Sequence, residues 1–268
     1  MQRRQFLSLT LASAVSAGAL TQANAKPVTE PKRYDETYDV IVIGTGAAGS
    51  SAAARASELG LKVLVLEKLK VGGGSTLICN GGFAICGTDI QAKKGIKDSV
   101  ELFEKEMLAI GKVNDPELVH TFVTNTLPTY EWAKKLGVEF YDVTTGAGMS
   151  VPRQHLTKTP QMLGVFNKLA KDKGAVFKYN APAQRLITNP QGRVVGVQTL
   201  EKGTTKSYRA NKGVVIAAGG WAQSEDLLRR FSPDAEKALK LGGLGNTGDG
   251  SRMAWALGAD LLDVSYTK

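Results

Sequence analysis

The chain has 268 residues, 43% of them hydrophobic, with a formal charge of +9 and two cysteines. This supports a folded domain with a substantial core and excludes a disordered chain. The positive charge forms no dense basic helix and is not interleaved with aromatics, so nucleic acid is not the expected partner; an acidic substrate or redox partner suits it better.

In chain order, "MQRRQFLSLTLASAVSAGALTQANA" (1–25) has a basic start, an apolar middle and Ala23-Asn24-Ala25 at its end. It reads as a cleaved signal peptide, and Arg3-Arg4 gives it a twin-arginine character. No other segment has the length and apolarity of a bilayer span. Residues 26–37 are polar with two prolines and read as a linker. Val40–Ile43 is a β-branched run of a buried parallel strand, Ala47–Leu59 a helix stopped by Gly60, and Val63–Leu66 a second buried strand. Together they make a βαβ unit.

A glycine-rich loop, "VGGGSTLICNGGFAICGT", follows. Its Cys79, with Cys86, forms either a disulfide or two independent small residues. Helical patterns fill the stretch from Asp98 to Leu136, with Asp115-Pro116 as an internal helix start and Gly137 as a stop. His120 lies in this stretch and reads as structural or exposed. "TTGAGMSVPRQH" reads as irregular; its Arg153 and His155 are candidates for the substrate side of a cofactor, with no catalytic role assigned. Thr159-Pro160 opens a helix that ends at Gly174. The helical insertion therefore spans about 97–173. From Ala175 the period changes to short strands, "AVFKYN", "QRLITN", "RVVGVQTL" and "KSYRA", separated by turns such as Asn189-Pro190-Gln191-Gly192. "GVVIAAGG" is another buried strand, Ser224 a helix cap, and "NTGDGSRMAWALGA" a last helix closed by Gly258.

Gly44, Gly46 and Gly49 form G-x-G-x-x-G between the first strand and the first helix. The first glycine permits the tight turn, the second lets a pyrophosphate approach the backbone, and the third lets helix and strand pack closely. The helix N-terminus then offers N–H groups to phosphate. Glu67, at the end of the second strand, can accept hydrogen bonds from ribose hydroxyls and would repel a 2′-phosphate, which argues against NADP. This unit alone is compatible with NAD or FAD. The glycine-rich loop, the helical insertion and the meander that follow favour a flavin.

These motifs, in this order, resemble the flavoprotein family of fumarate reductase and succinate dehydrogenase, and within it the soluble, exported flavocytochrome-type fumarate and urocanate reductases. The likeness runs from about Tyr38 to Lys268. It implies an α/β, Rossmann-like FAD-binding domain with a β-meander and a helical insertion. It also implies which residues hold FAD. Ala48 matches the turn alanine, and Glu67 the ribose-binding acid, with Lys68 beside it in the cofactor set. Gly74, Ser75 and Thr76 fall in the loop that wraps pyrophosphate and flavin, where Ser75 stands in place of the family's asparagine. Gly81 and Gly82 match the glycines beneath the isoalloxazine, and Ala183 the meander position facing adenine. Gly219 lies at the second flavin-side strand end, and Asp249 in the late "TGDG" motif, where a helix N-cap is the plainer alternative.

The resemblance implies hydride transfer from FAD to the activated C=C of a small unsaturated carboxylic acid. The electrons would come from an external donor such as a cytochrome c or a quinol-linked protein. No metal is expected. In the family the chain continues into a clamp domain that supplies the His-Pro-Thr motif and the proton-delivering arginine, and the expectation is a chain truncated before that region. The alternatives are a non-catalytic flavin-binding fragment, a subunit completed by another chain, and an enzyme resembling 3-oxosteroid dehydrogenases.

Overall fold

A computed structural model describes residues 26–262 and 264–265. The expected signal peptide lies outside the described residues. Among the described residues, ten strands form two sheets. In the larger, β1 (Val28–Thr29), β8 (Ala183–Thr188), β9 (Val194–Glu201), β10 (Thr204–Ile216), β2 (Glu36–Ile43), β3 (Val63–Leu66) and β7 (Val176–Lys178) lie side by side in that order. The β8–β9–β10 meander is antiparallel, and every other neighbour is parallel. The smaller, antiparallel sheet has the order β4 (Gly82–Ala84), β6 (Gln154–Thr157), β5 (Phe140–Thr144).

The centre of the large sheet is buried on both faces, which is why its strands read as unbroken apolar runs. Side chains alternate along a strand. Ile41, Ile43, Leu64 and Leu66 pack toward the meander residues Leu186 and Val197 and toward Met253. Val42, Val63 and Val65 pack on the other face against Ala53 and Ala170. Ala53 belongs to α1 (Ala47–Glu58) and Ala170 to α5 (Thr159–Asp172). The alanine-rich face of α1 lets this helix lie close to the sheet.

A short helix, α2 (Asp89–Lys93), precedes the insertion, which begins with α3 (Val100–Gly111) and α4 (Pro116–Lys135). Asp115 caps α4 by accepting the N–H groups of Glu117 and Leu118. Two further helices, α6 (Glu225–Phe231) and α7 (Asp249–Trp255), follow the large sheet.

Several local expectations are corrected. The polar stretch 26–37 includes β1, paired with β8, and the first residues of β2. "KSYRA" and "GVVI" are one strand, β10, with an irregularity between Ala210 and Gly213: Thr204–Arg209 pairs with β9, and the strand pairs with β2 from Tyr208 to Ile216. The segment read as irregular begins on the last residue of β5 and ends on the first two of β6, because Gln154–Thr157 is held between β5, ten residues earlier, and β4, which is distant in sequence. Ser224 occupies the N-cap position of α6 without capping it, since its hydroxyl donates to Asp226 Oδ1 and accepts from Arg252. Cys79 and Cys86 are both free thiols, the first exposed and the second buried. Among the described residues, no helix is long and apolar enough to cross a membrane.

Candidate cofactor site

The parallel strands β2, β3 and β10 all end at one edge of the sheet, where an open α/β sheet binds its ligand. The turn after β2 is tied to both neighbours: Gly44 N–H donates to Leu66 O at 2.8 Å, and Ala217 N–H donates to Ile43 O at 2.8 Å. There is no room for a side chain inside the turn. Gly44 has φ +105°, and a Cβ there would lie 2.3 Å from Ala217 O; one on Gly49 would lie 2.0 Å from Gly44 O. Gly46 differs. The nearest atom to its notional Cβ is Thr76 Oγ1 at 3.4 Å, so packing within the protein does not demand glycine there. It faces a cavity of about 500 Å³.

That volume lies within the range of small-molecule sites, about 300–1,000 Å³. The cavity runs from the Gly44–Ala48 turn, past Glu67 and Lys68 at the end of β3, to Ala217–Gly220 after β10. Ser75 and Thr76, in the 3₁₀ turn Gly74–Leu77, form another wall, joined by Ala183, Asn246 and Asp249. The N-terminus of α1 opens on this space with no side-chain cap from Gly46 and no acid in its first turn. One of its N–H groups, from Ala47, donates to Thr76 Oγ1 at 2.9 Å.

Glu67 is nearly buried, and both carboxylate oxygens have donors: Thr45 Oγ1 to Oε2 at 2.5 Å and the Leu69 N–H to Oε1 at 2.9 Å. Thr45 in turn accepts the Gly73 N–H at 3.0 Å, so one hydroxyl joins the turn, the acid and the glycine-rich loop. Burial, with a smaller contribution from the Glu67 charge, pushes the nearby Tyr179 phenol up. Lys68 Nζ donates to Thr247 Oγ1 at 2.6 Å and to Asp249 Oδ2 at 2.7 Å, linking the end of β3 to α7. Gly248 holds the N-cap position of α7, so Asp249 is the helix's first residue and not its cap.

Of the residues expected to hold the cofactor, Gly44, Gly46, Ala48, Glu67, Lys68, Gly74, Ser75, Thr76, Ala183, Gly219 and Asp249 line the cavity. Gly49, Gly81 and Gly82 do not. Gly49 serves the helix–turn approach described above. A Cβ on Gly81 would lie 2.0 Å from Thr157 O, and one on Gly82 2.2 Å from Gln154 Nε2, so both glycines make room for β6. Sequence reasoning missed Thr45 and Asn246. The first sits inside the fingerprint and the second directly precedes "TGDG", and that adjacency was the available signal.

Arg153 and His155 lie away from the cavity, each about 1% exposed or less. Arg153 grips Asp98 with two hydrogen bonds, at 3.0 and 2.6 Å, and also pairs with Glu106. Burial works against its charge, but the two carboxylates outweigh it and its pKa is raised. His155 donates from Nδ1 to Arg153 O at 2.8 Å, which leaves Nε2 to accept from Thr88 Oγ1 at 2.7 Å. Burial pushes the imidazole pKa down. His120 is exposed on α4 and pairs with Glu104.

A strand–turn–helix–strand unit whose glycines leave an open seat at a helix N-terminus, with a carboxylate beyond it, defines a dinucleotide-binding α/β domain. Comparison with known proteins makes the assignment narrower. The model of the family described as "FAD binding domain" matches residues 39–266. The chain belongs to that family, and FAD is its cofactor. Its relatives include the urocanate reductase of Eggerthella lenta, 33% identical over 88% of this chain and 40% of the relative. The fumarate reductase (cytochrome) of Shewanella frigidimarina is 32% identical over 86% of this chain and 42% of the relative. Among solved structures, the 3-ketosteroid-delta4-(5alpha)-dehydrogenase of Rhodococcus jostii superposes with a TM-score of 0.85 at 26% identity, covering 90% of this chain and 58% of that one. The open conformation of a flavocytochrome c3 fumarate reductase superposes with a TM-score of 0.79 at 29% identity, covering 85% of this chain and 41% of that one. The chain thus spans about two fifths of the length of these two curated relatives.

The residues present fit FAD. The α1 N-terminus and the Gly46 opening suit an anionic diphosphate. Glu67 suits a ribose with a free 2′-hydroxyl.

Proposed function

We propose that this chain is the FAD-binding part of an oxidoreductase that reduces the activated C=C of a small unsaturated carboxylic acid. The observation that carries the reading is the sequence likeness to a urocanate reductase and a fumarate reductase over more than four fifths of the chain, with a cavity lined by the Gly44–Ala48 turn and Glu67. When bound, FAD supplies the hydride chemistry. The chain's own residues bind and orient it. The α1 N–H groups take its anionic centre, Glu67 holds a ribose, and the Thr45–Glu67–Leu69 bonds keep the carboxylate in place. The Lys68–Asp249 pair joins the end of β3 to α7 in the cavity wall. The net charge of +9 favours an anionic substrate and an acidic electron donor, a cytochrome c or a quinol-linked protein. Residues 1–25 support export to the periplasm by a cleaved, twin-arginine signal.

An alternative reading is a 3-ketosteroid dehydrogenase, favoured by the superposition on the Rhodococcus jostii enzyme. The two readings separate in one assay on the protein that carries this chain. Acid reduction requires reduced viologen to be reoxidised on adding fumarate, urocanate or a related acid. Steroid dehydrogenation requires a 3-ketosteroid to bleach an electron-accepting dye. Dye bleaching without acid-dependent viologen oxidation would overturn the first reading. Export is tested by fractionation: Arg3→Lys/Arg4→Lys should retain the precursor in the cytoplasm, and unaltered export would remove the twin-arginine route.

A further inference from the structure

Ser75 Oγ is a junction between two distant segments. It accepts the Gly243 N–H at 2.9 Å and the Asn246 side-chain Nδ2–H at 2.8 Å. A hydroxyl oxygen has two acceptor sites and one donor. With both acceptor sites taken, the hydroxyl can only donate elsewhere. Ser75 lines the cavity and precedes Thr76, which is bonded to the first turn of α1. The fixed donor therefore sits beside the anion seat.

The partner loop is closely applied. A Cβ on Gly243 would lie 2.9 Å from Ser75 N and 3.0 Å from Gly74 C. Asn246 itself lines the cavity, and a Cβ on Gly219 would lie 2.5 Å from its Oδ1. Asn246 thus spans from the 3₁₀ turn on one wall to the strand end after β10 on the other.

We propose that Asn246 is a cofactor-positioning residue that acts through Ser75: its amide fixes the serine hydroxyl as a donor to the diphosphate of FAD. The inference rests on the FAD site and is independent of which substrate is reduced. It requires the orientation in which Nδ2 faces Ser75 Oγ, because a carbonyl in that place would claim the serine proton for itself.

The test is a fluorescence titration of the full chain with FAD, for the wild type, Ser75→Ala, Asn246→Ala, the double variant and Asn246→Asp. A hydrogen bond to a charged group supports an expected loss of about tenfold in affinity for each single alanine variant. Because one residue acts through the other, the double variant should bind no worse than Ser75→Ala. Asn246→Asp keeps the loop's shape but replaces the donor with an acceptor, and should lose at least as much as Asn246→Ala. Wild-type affinity in either Asn246 variant, or single losses that multiply in the double variant, would overturn the proposal. Failure of the wild type itself to bind FAD would instead overturn the cofactor site.

Discussion

Two of the polar clusters among the described residues do different work. One, Thr45–Glu67–Leu69 with Lys68 and Asp249, lines an open cavity at the ends of β2, β3 and β10. The other, Arg153–Asp98–Glu106 with His155 and Thr88, is enclosed where α2, α3 and the small sheet meet. By residue type the enclosed cluster has the more catalytic composition, since it contains an arginine, a histidine and two acids. It is sealed, however. Arg153 stacks on Phe103 at 4.4 Å from the ring centroid, and all its bonds go to protein groups. The lesson is that a polar group's exposure to a cavity, more than its chemistry, marks it as a ligand-binding residue.

The largest expected effect lies in the sealed cluster. Arg153→Met leaves Asp98 charged, buried and without its strongest partner, and should cost about 3–5 kcal/mol of stability. Urea unfolding measures it. The FAD affinity of the folded fraction should stay unchanged, and a change would break the contrast between the clusters. In the open cluster the balance reverses. Glu67→Gln keeps acceptor capacity for Thr45 or Leu69 but loses the charge that receives the ribose. It should weaken FAD binding by about 1.5–3 kcal/mol with a smaller effect on unfolding.

Thr76→Val removes the acceptor for the Ala47 N–H and should lower stability by about 1 kcal/mol, the worth of a lost helix cap. Thermal melting of the FAD-free chain reads this. The smallest effect is a pH dependence. Burial lowers the folded-state pKa of His155, so below the ordinary histidine value, about 6.5, the unfolded chain binds more protons than the folded one. Stability from this group is present above that value and declines as pH falls through it toward the folded pKa. His155→Gln should flatten the stability profile below about pH 6.5. An unchanged slope would show that His155 does not titrate on unfolding.

The first βαβ unit was legible because its strands are buried on both faces and its glycines fall at fixed offsets in the turn. Most of the expected cofactor residues proved to share one cavity because the motif order encodes which strand ends meet. The small sheet was not legible. Gln154, His155 and Thr157 carry no apolar alternation, and β6 is held between the nearby β5 and β4, which comes from far along the chain. The same long-range pairing explains Gly81 and Gly82, whose glycines answer to β6 and not to the cavity. Asn246 and Thr45 are polar residues in loops, and only the folded arrangement shows what they join.

The central claim is that FAD sits in the cavity opened by Gly46 and bounded by Glu67. Titration of the FAD-free chain with FAD, followed by flavin fluorescence, tests it most directly when wild type and Gly46→Val are compared. The account predicts one FAD per chain for the wild type and, because the valine side chain would project into the cavity, a large loss of affinity in an otherwise folded variant. Equal FAD binding by both proteins, or no flavin bound by the wild type, would contradict it.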